Sequence, residues 1–384
     1  MQNITRSLKN LILKRLANNP AVALLGARQV GKSTLAKEIV SKNSNAIYLD
    51  LELDSDLNKI INDPELFLSL NCDKLICLDE IQHAPEIFKT LRGIIDRNNR
   101  NSQFLLLGSA SRDLIRQSSE SLAGRIAYLE VDPFSRSEII DYDFFQYWIR
   151  GGYPKSLLAS DLEESISWRS NYIQTFLERD LPSLGFRIPA VKLKRMWTML
   201  AHSQGQVANY AKLGASLDLS IHTVKHYIDI LEQTFLIHVL KPFHNNTKKR
   251  LVKSPKIFIR DTGILHSLLK INELNDLLGH PVLGNSFETL VIQNILLKYS
   301  DFEASFYRDS SGNEIDLILE KGNNKIAIEI KASTAPKLEK GFWNSVKFIK
   351  PDQMWLIAQV DSTYPGKDGV IITNLDEFLK NKIS

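Results

Sequence analysis

Cysteine is nearly absent from this chain: there are two in 384 residues, Cys72 and Cys77. Two thiols cannot staple a fold of this size, which excludes disulfide-built secreted scaffolds and points to a reducing, cytoplasmic setting. Long apolar runs are missing as well. The greasiest stretches, such as Phe104 to Leu107, are strand-sized, far short of the roughly 20 apolar residues that a spanning helix needs. The first twenty residues mix Arg6, Lys9, Lys14 and Arg15 with Leu8, Leu11, Ile12 and Leu16. That is an amphipathic helix, not a secretory leader, and no membrane partner is expected. Neither sign of charge dominates, since 48 Lys and Arg face 44 Asp and Glu for a net +4. A nucleic-acid surface must therefore come from local clusters. Internal repeats and low-complexity tracts are lacking. What is present is an ordinary globular mixture, 43% hydrophobic and 24% charged, long enough for two or three domains.

The first third alternates short apolar runs with helical patterns. Strands are expected at Ala21–Leu25, Ala46–Leu51, Lys74–Asp79, Gln103–Leu107 and Ile126–Val131, with helices from about Lys32 and around Pro85–Asp96. Continuous apolar strands separated by helices predict a parallel sheet covered on both faces. Asp132-Pro133-Phe134-Ser135 closes this part, because proline stops a strand. From Ser137 to Arg187 the pattern is helical, with Trp148, Trp168, Tyr172, Phe176 and Leu177 as expected core. Val191 to Phe258 reads as three helices and a hairpin, with a short helix starting at Gln206-Val207-Ala208. A final α+β block follows. The expected domains are residues 1–136, 137–275 and 276–384, α/β overall.

Gly26-Ala27-Arg28-Gln29-Val30-Gly31-Lys32-Ser33, followed by Thr34, fits a phosphate-binding loop, and it sits where such a loop must, between a strand and a helix. Backbone N–H groups can cradle phosphates there, helped by the positive field of the helix N-terminus. Lys32 can reach the β- and γ-phosphates of ATP, and the Ser33 hydroxyl can ligate Mg²⁺. Leu75-Ile76-Cys77-Leu78-Asp79-Glu80 carries a buried strand to its C-terminal edge, where open α/β sheets bind ligands. Asp79 would hold Mg²⁺ through water, and Glu80 would polarise the attacking water. Ser109 ends a further strand, placed to orient water or sense the γ-phosphate. Arg125 could supply charge to the transition state, in its own chain or across to a neighbour in a homo-oligomer; a solvated arginine at a strand start is the plain alternative. Cys77, inside an apolar strand, reads as core.

Gly26–Ser33, Asp79-Glu80-Ile81-Gln82, Gly108-Ser109 and Ser121–Ile126 together resemble a prokaryotic branch of the AAA+ ATPases. The likeness continues through Asp132–Ser135, Gly151-Gly152-Tyr153-Pro154, Arg179-Asp180, Ser254-Pro255-Lys256 and Asp261-Thr262-Gly263. The resemblance implies ATP binding and a P-loop AAA+ module. It also implies a helical, winged-helix-like middle and a nuclease-like C-terminal fold. His83 departs from the basic residue expected after Asp-Glu-Ile-Gln, and Ser33 replaces the commoner threonine.

In the middle, Ser220 is the expected N-cap of a helix through Ile230, with Ile221, Val224, Ile228 and Leu231 at core spacing. That leaves His222, Thr223, Lys225 and His226 on other faces, as a recognition helix requires. A hairpin bearing His244, Lys248, Lys249, Arg250 and Lys253 would be the wing, touching DNA phosphates by charge. A solvated basic hairpin on a packing module is the alternative.

Period-2 alternation puts Glu314 and Asp316 on one face of a strand, and Glu329 and Lys331 on one face of the next, with Ile328 and Ile330 toward the core. A hairpin can bring Asp316, Glu329 and Lys331 together. Two carboxylates can bind Mg²⁺, and a lysine beside them can orient or deprotonate water. This resembles the Asp…Glu-x-Lys core of restriction-endonuclease-like nucleases, and Glu288 on the preceding helix resembles their additional acidic ligand. The alternative is an ion pair on a half-solvated sheet. Two functions stay open: an ATPase that acts on DNA, or a nucleotide-dependent switch whose C-terminal domain only binds.

Overall fold

The computed structural model describes residues 4–109, 122–243, 252–381 and 383. These divide into two compact units, residues 4–134 with Gln233–Phe235, and the remainder.

In the first unit the apolar runs pair side by side. Strands β1 (Ala21–Gly26), β2 (Ala46–Asp50), β3 (Leu75–Asp79), β4 (Phe104–Ser109) and β5 (Ile126–Glu130) form one sheet in the order β2-β3-β4-β1-β5. Every pairing is parallel. All six residues of β1 are buried, as expected for a central strand covered on both faces. The helix Ile87–Asn98 shows why it packs: Ile87, Phe88, Leu91, Ile94 and Ile95 recur at i, i+1, i+4, i+7 and i+8 and are all buried. The helix Lys32–Ser41 buries Leu35, Ala36 and Ile39. The five expected strands are present, with boundaries within a residue or two.

The second unit begins with helices Phe144–Arg150 and Leu162–Thr175, capped by Asp143 and Asp161 through their side chains. Trp148, Tyr172, Phe176 and Leu177 are core, whereas Trp168 is half-buried and stacks on Tyr172. Asp261 caps the helix Thr262–Leu269 and also accepts the Gly152 N–H at 2.7 Å. A Cβ at Gly151 would sit 2.2 Å from that carboxylate, so the Gly-Gly and Asp-Thr-Gly motifs are one packing contact rather than a reactive site.

Three helices follow, Ala190–His202, Tyr210–Leu217 and Ile221–Gln233, with β6 (Ile237–Leu240) antiparallel to β7 (Lys256–Ile259). Three helices and an antiparallel strand pair are the elements expected over this stretch. Residues 206–208 do not start a helix. Val207 bridges to Lys256 beside β7, and the Asn209 side chain caps the helix from Tyr210, since an amide oxygen accepts a first-turn N–H that valine cannot. Ser220 does accept the Thr223 N–H, but Ile221 is 49% exposed and not core; Tyr227 and Ile230 are buried instead. The basic segment His244–Arg250 lies outside the described residues.

The C-terminal part packs the helix Leu283–Lys298 on a mixed sheet. Strands β8 (Glu303–Arg308), β9 (Glu314–Lys321), β10 (Asn324–Lys331), β11 (Gln353–Ala358), β12 (Tyr364–Pro365) and β13 (Val370–Thr373) lie in the order β12-β13-β11-β10-β9-β8. β8, β9 and β10 form an antiparallel meander, while β10, β11 and β13 run parallel. Among the described residues no helix is long and apolar enough to cross a membrane.

Candidate functional site

The first unit gathers its polar residues at the C-terminal ends of β1, β3 and β4. β4 lies between the other two, and its last residue, Ser109, is in register with Gly26. A Cβ at Gly26 would stand 2.2 Å from the Val131 carbonyl oxygen, so only glycine fits where the chain leaves the sheet. Ala27 and Val30 are buried, Arg28 is half-buried, and Gln29 is exposed. Gly31, in the left-handed region, is the N-cap of the helix Lys32–Ser41. Ser33 is half-buried and Thr34 exposed in its first turn.

The Lys32 ammonium folds back onto this loop, donating to the carbonyl oxygens of Gly26 (2.9 Å) and Ala27 (2.8 Å). It is 5% exposed. Burial lowers its pKa to about 8, against the opposing pull of Glu80 and Asp79. A buried ammonium beside a helix N-terminus, facing two carboxylates, suits a polyphosphate carrying a magnesium ion. The anion would satisfy Lys32, and the cation would satisfy Asp79.

Asp79, almost wholly buried at the end of β3, receives two hydrogen bonds. Its Oδ1 accepts the Glu80 N–H at 2.9 Å, and its Oδ2 accepts the Tyr48 hydroxyl. Burial, followed by the bond to Asp79, keeps the Tyr48 phenol protonated far above its usual range, so it remains a donor. Glu80 adopts a left-handed backbone (φ 53°) as the chain turns into Ile81–His83, a conformation that costs roughly 1–3 kcal/mol. Its Oε2 accepts from the Gln82 amide. Sequence reasoning missed Tyr48 altogether and quoted Gln82 without a role. Arg125 pairs with Asp96 in a two-point contact, Nε to Oδ1 at 2.6 Å and Nη2 to Oδ2 at 3.0 Å. Cys77 is fully buried, and burial pushes its thiol well above the usual range, as a core residue requires.

In the second unit the expected C-terminal residues do come together. The β9–β10 register ends at Leu317 opposite Ile328. Just beyond it, Asp316 Oδ2 accepts the Ile330 N–H at 2.9 Å. Lys331 Nζ is 2.9 Å from Glu329 Oε1. Glu329 and Glu288 are both more than nine-tenths buried, because the helix Leu283–Lys298 packs over β10, whereas Glu314, Asp316 and Lys331 are half-buried. Burial raises the pKa of each carboxyl, the nearby Asp316 charge adds to the rise, and Lys331 and Lys256 oppose it. Lys256 is the residue that sequence reasoning left out. Its ammonium, 3% exposed at the side chain, lies 2.7 Å from Glu314 Oε1, 3.0 Å from Glu288 Oε1 and 3.7 Å from Asp316 Oδ1. The signal was there, since Lys256 ends the Ser-Pro-Lys motif, but nothing in sequence spacing links it to residues 30 to 60 positions away. Among the described residues no three His, Cys, Asp or Glu side chains form a set that could hold a metal ion. The Lys256 ammonium lies within 3.0 Å of Glu288 and Glu314 only, while Glu329 Oε2 is buried with no hydrogen-bond partner.

Residues 18–140 match the AAA domain family, 141–275 a domain of unknown function (DUF8612), and 283–378 a second domain of unknown function (DUF4143). An uncharacterized protein of Mycobacterium tuberculosis is 36% identical over 366 residues, covering 95% of this chain and 82% of that protein. An uncharacterized protein of Haemophilus influenzae is 24% identical over 80% of this chain and 82% of its own length. Of solved structures, a Walker-type ATPase of Pyrococcus abyssi aligns over 70% of this chain and 96% of its own, with 16% identity and a TM-score of 0.49. By its identity and coverage with the mycobacterial protein, this chain belongs to the same family, as an AAA-domain ATPase carrying a C-terminal DUF4143 domain.

Proposed function

We propose that this protein is a cytoplasmic, Mg²⁺-dependent ATP hydrolase that works as a nucleotide-dependent switch on DNA. In this reading it acts through three parts, residues 1–136, 137–275 and 276–384. The observation that carries it is the buried Lys32 ammonium on the phosphate loop, facing Asp79 and Glu80. Lys32 binds the β- and γ-phosphates, with the backbone N–H groups of Gly26 to Thr34 around them. Ser33 and Asp79 would hold Mg²⁺, which offsets charge on the transferring phosphoryl group. Tyr48 fixes one oxygen of Asp79, and Glu80 orients water and takes its proton. Ser109 stands at the neighbouring strand end to position that water. Arg125 serves the transition state only after leaving Asp96, within its own chain or across a homo-oligomer contact.

Lys32 also sets a pH dependence. The free ammonium loses its proton near pH 8, whereas a bound polyanion needs the charged form, so binding takes up a proton above that pH. The Kd for ATP should rise by about tenfold per unit above pH 8 and stay flat below it. Calorimetric titration from pH 6.5 to 9.5 checks this; a flat profile throughout removes Lys32 from the phosphate contact.

DNA contact is supported by the exposed His222, Lys225 and His226 on the helix Ile221–Gln233 and by exposed Lys253. Neutralising Lys248, Lys249 and Arg250 together should flatten the log–log salt dependence of DNA binding, each lost phosphate contact removing about 0.9. Equal slopes in parent and variant would place the DNA surface elsewhere.

For the C-terminal domain, the convergence of Asp316, Glu329, Lys331 and Glu288 supports the nuclease-like reading of its fold. The Lys256 ammonium beside Glu288, Glu314 and Asp316 favours a non-catalytic binding module over cleavage. ATP hydrolysis measured with and without DNA, followed by inspection of the DNA, tests both. Hydrolysis with intact DNA is expected, and metal-dependent nicking abolished by Asp316→Ala would overturn the non-catalytic assignment.

A further inference from the structure

We infer that Lys256 is the resident cation of the acidic cluster, a lysine in place of a metal ion that ties the β6–β7 pair to the C-terminal sheet. This deepens the reading of the C-terminal domain as non-catalytic.

Three carboxylates from two elements meet one ammonium. Glu288 comes from the helix Leu283–Lys298, and Glu314 and Asp316 come from β9. The ammonium has three donors and no acceptor, and its two close contacts, at 2.7 and 3.0 Å, have the lengths of charge-assisted hydrogen bonds. The oxygens left over are largely engaged. Arg308 Nη1 is 3.1 Å from Glu314 Oε2, and Asp316 Oδ2 is taken by the Ile330 N–H. Mg²⁺ needs oxygens at about 2.0–2.1 Å in an octahedral shell. An ammonium 2.7 Å from Glu314 Oε1, 3.0 Å from Glu288 Oε1 and 3.7 Å from Asp316 Oδ1 fills the space between these oxygens and repels a second cation.

The backbone keeps Lys256 in this place from both sides. It pairs with Leu240 in β6 and bridges to Val207. The neighbouring Ala208 and Gly205 N–H groups bond the Pro255 and Ile257 carbonyls at 2.8 and 3.1 Å. On the other side the chain leaving β6 joins the sheet edge, with the Phe243 N–H on the Phe306 carbonyl at 2.7 Å. The Phe306 ring centroid lies 5.5 Å from the ammonium and helps to enclose it. The hairpin of the middle region is thus locked to the sheet by charge as well as by hydrogen bonds. Withdrawing Lys256 would leave Glu288 and Asp316 without this ammonium and Glu314 with Arg308 alone.

The test is Mn²⁺ binding to the full-length, nucleotide-free chain, read by calorimetry. The parent and Asp316→Asn should give the same isotherm. Lys256→Met, which keeps length and loses charge, should gain one Mn²⁺ site, and Lys256→Met combined with Asp316→Asn should lose it again. An Asp316-dependent Mn²⁺ site in the parent overturns the inference, and so does a folded Lys256→Met variant that gains none. If Lys256→Met does not fold, the parent and Asp316→Asn isotherms decide by themselves: identity upholds the inference and a difference ends it. Nicking of DNA, assayed separately on the parent, reports on the non-catalytic reading, so Mn²⁺ bound without nicking would sink the inference alone.

Discussion

Glu80→Gln is expected to bind ATP as tightly as the parent chain and to turn it over about 10²–10⁴-fold more slowly, the range for removing a positioned general base. The amide keeps the shape of the side chain and loses the anion that orients water and accepts its proton. The left-handed turn at Glu80 and the Gln82 hydrogen bond hold that group in place before substrate arrives. The measurements are the Kd from titration and kcat from phosphate release. Parent-like turnover would assign the base elsewhere, and a large loss of affinity would make Glu80 a binding residue instead.

Lys32→Ala should weaken ATP binding by about 100-fold or more, corresponding to a charge-assisted contact of roughly 3 kcal/mol. The same substitution removes a buried cation whose pKa burial already lowers to about 8. The folded chain should therefore lose little stability without nucleotide, because the ammonium was being held against its own desolvation. Affinity should collapse while the thermal midpoint of the nucleotide-free chain stays within a few degrees. Unchanged affinity would remove the phosphate-loop assignment; a collapsed midpoint would make Lys32 a structural residue of the loop.

The phosphate loop was legible because its requirements are local. Gly26 must pass close to Val131, Gly31 must turn left-handed, and Lys32 and Ser33 follow at once on a helix start. The same holds for the strands, whose continuous apolar runs require burial on both faces, and for the β9–β10 hairpin. Its period of two set Glu314 with Asp316 and Glu329 with Lys331 before any contact was known.

Tertiary structure alone decided the partners. Tyr48 meets Asp79 because β2 pairs with β3 in a parallel register that no local pattern encodes. Arg125 is paired because the helix Ile87–Asn98 presents Asp96 to the start of β5. Lys256 lies among Glu288, Glu314 and Asp316 because a hairpin, a helix and a sheet converge on one point. Short-range sequence specifies backbone turns, caps and face alternation, since these depend on neighbours within a few residues. Which charge neutralises which, and so whether an acidic cluster is open to a metal ion or closed by a lysine, depends on distances across the chain that only the packed fold sets.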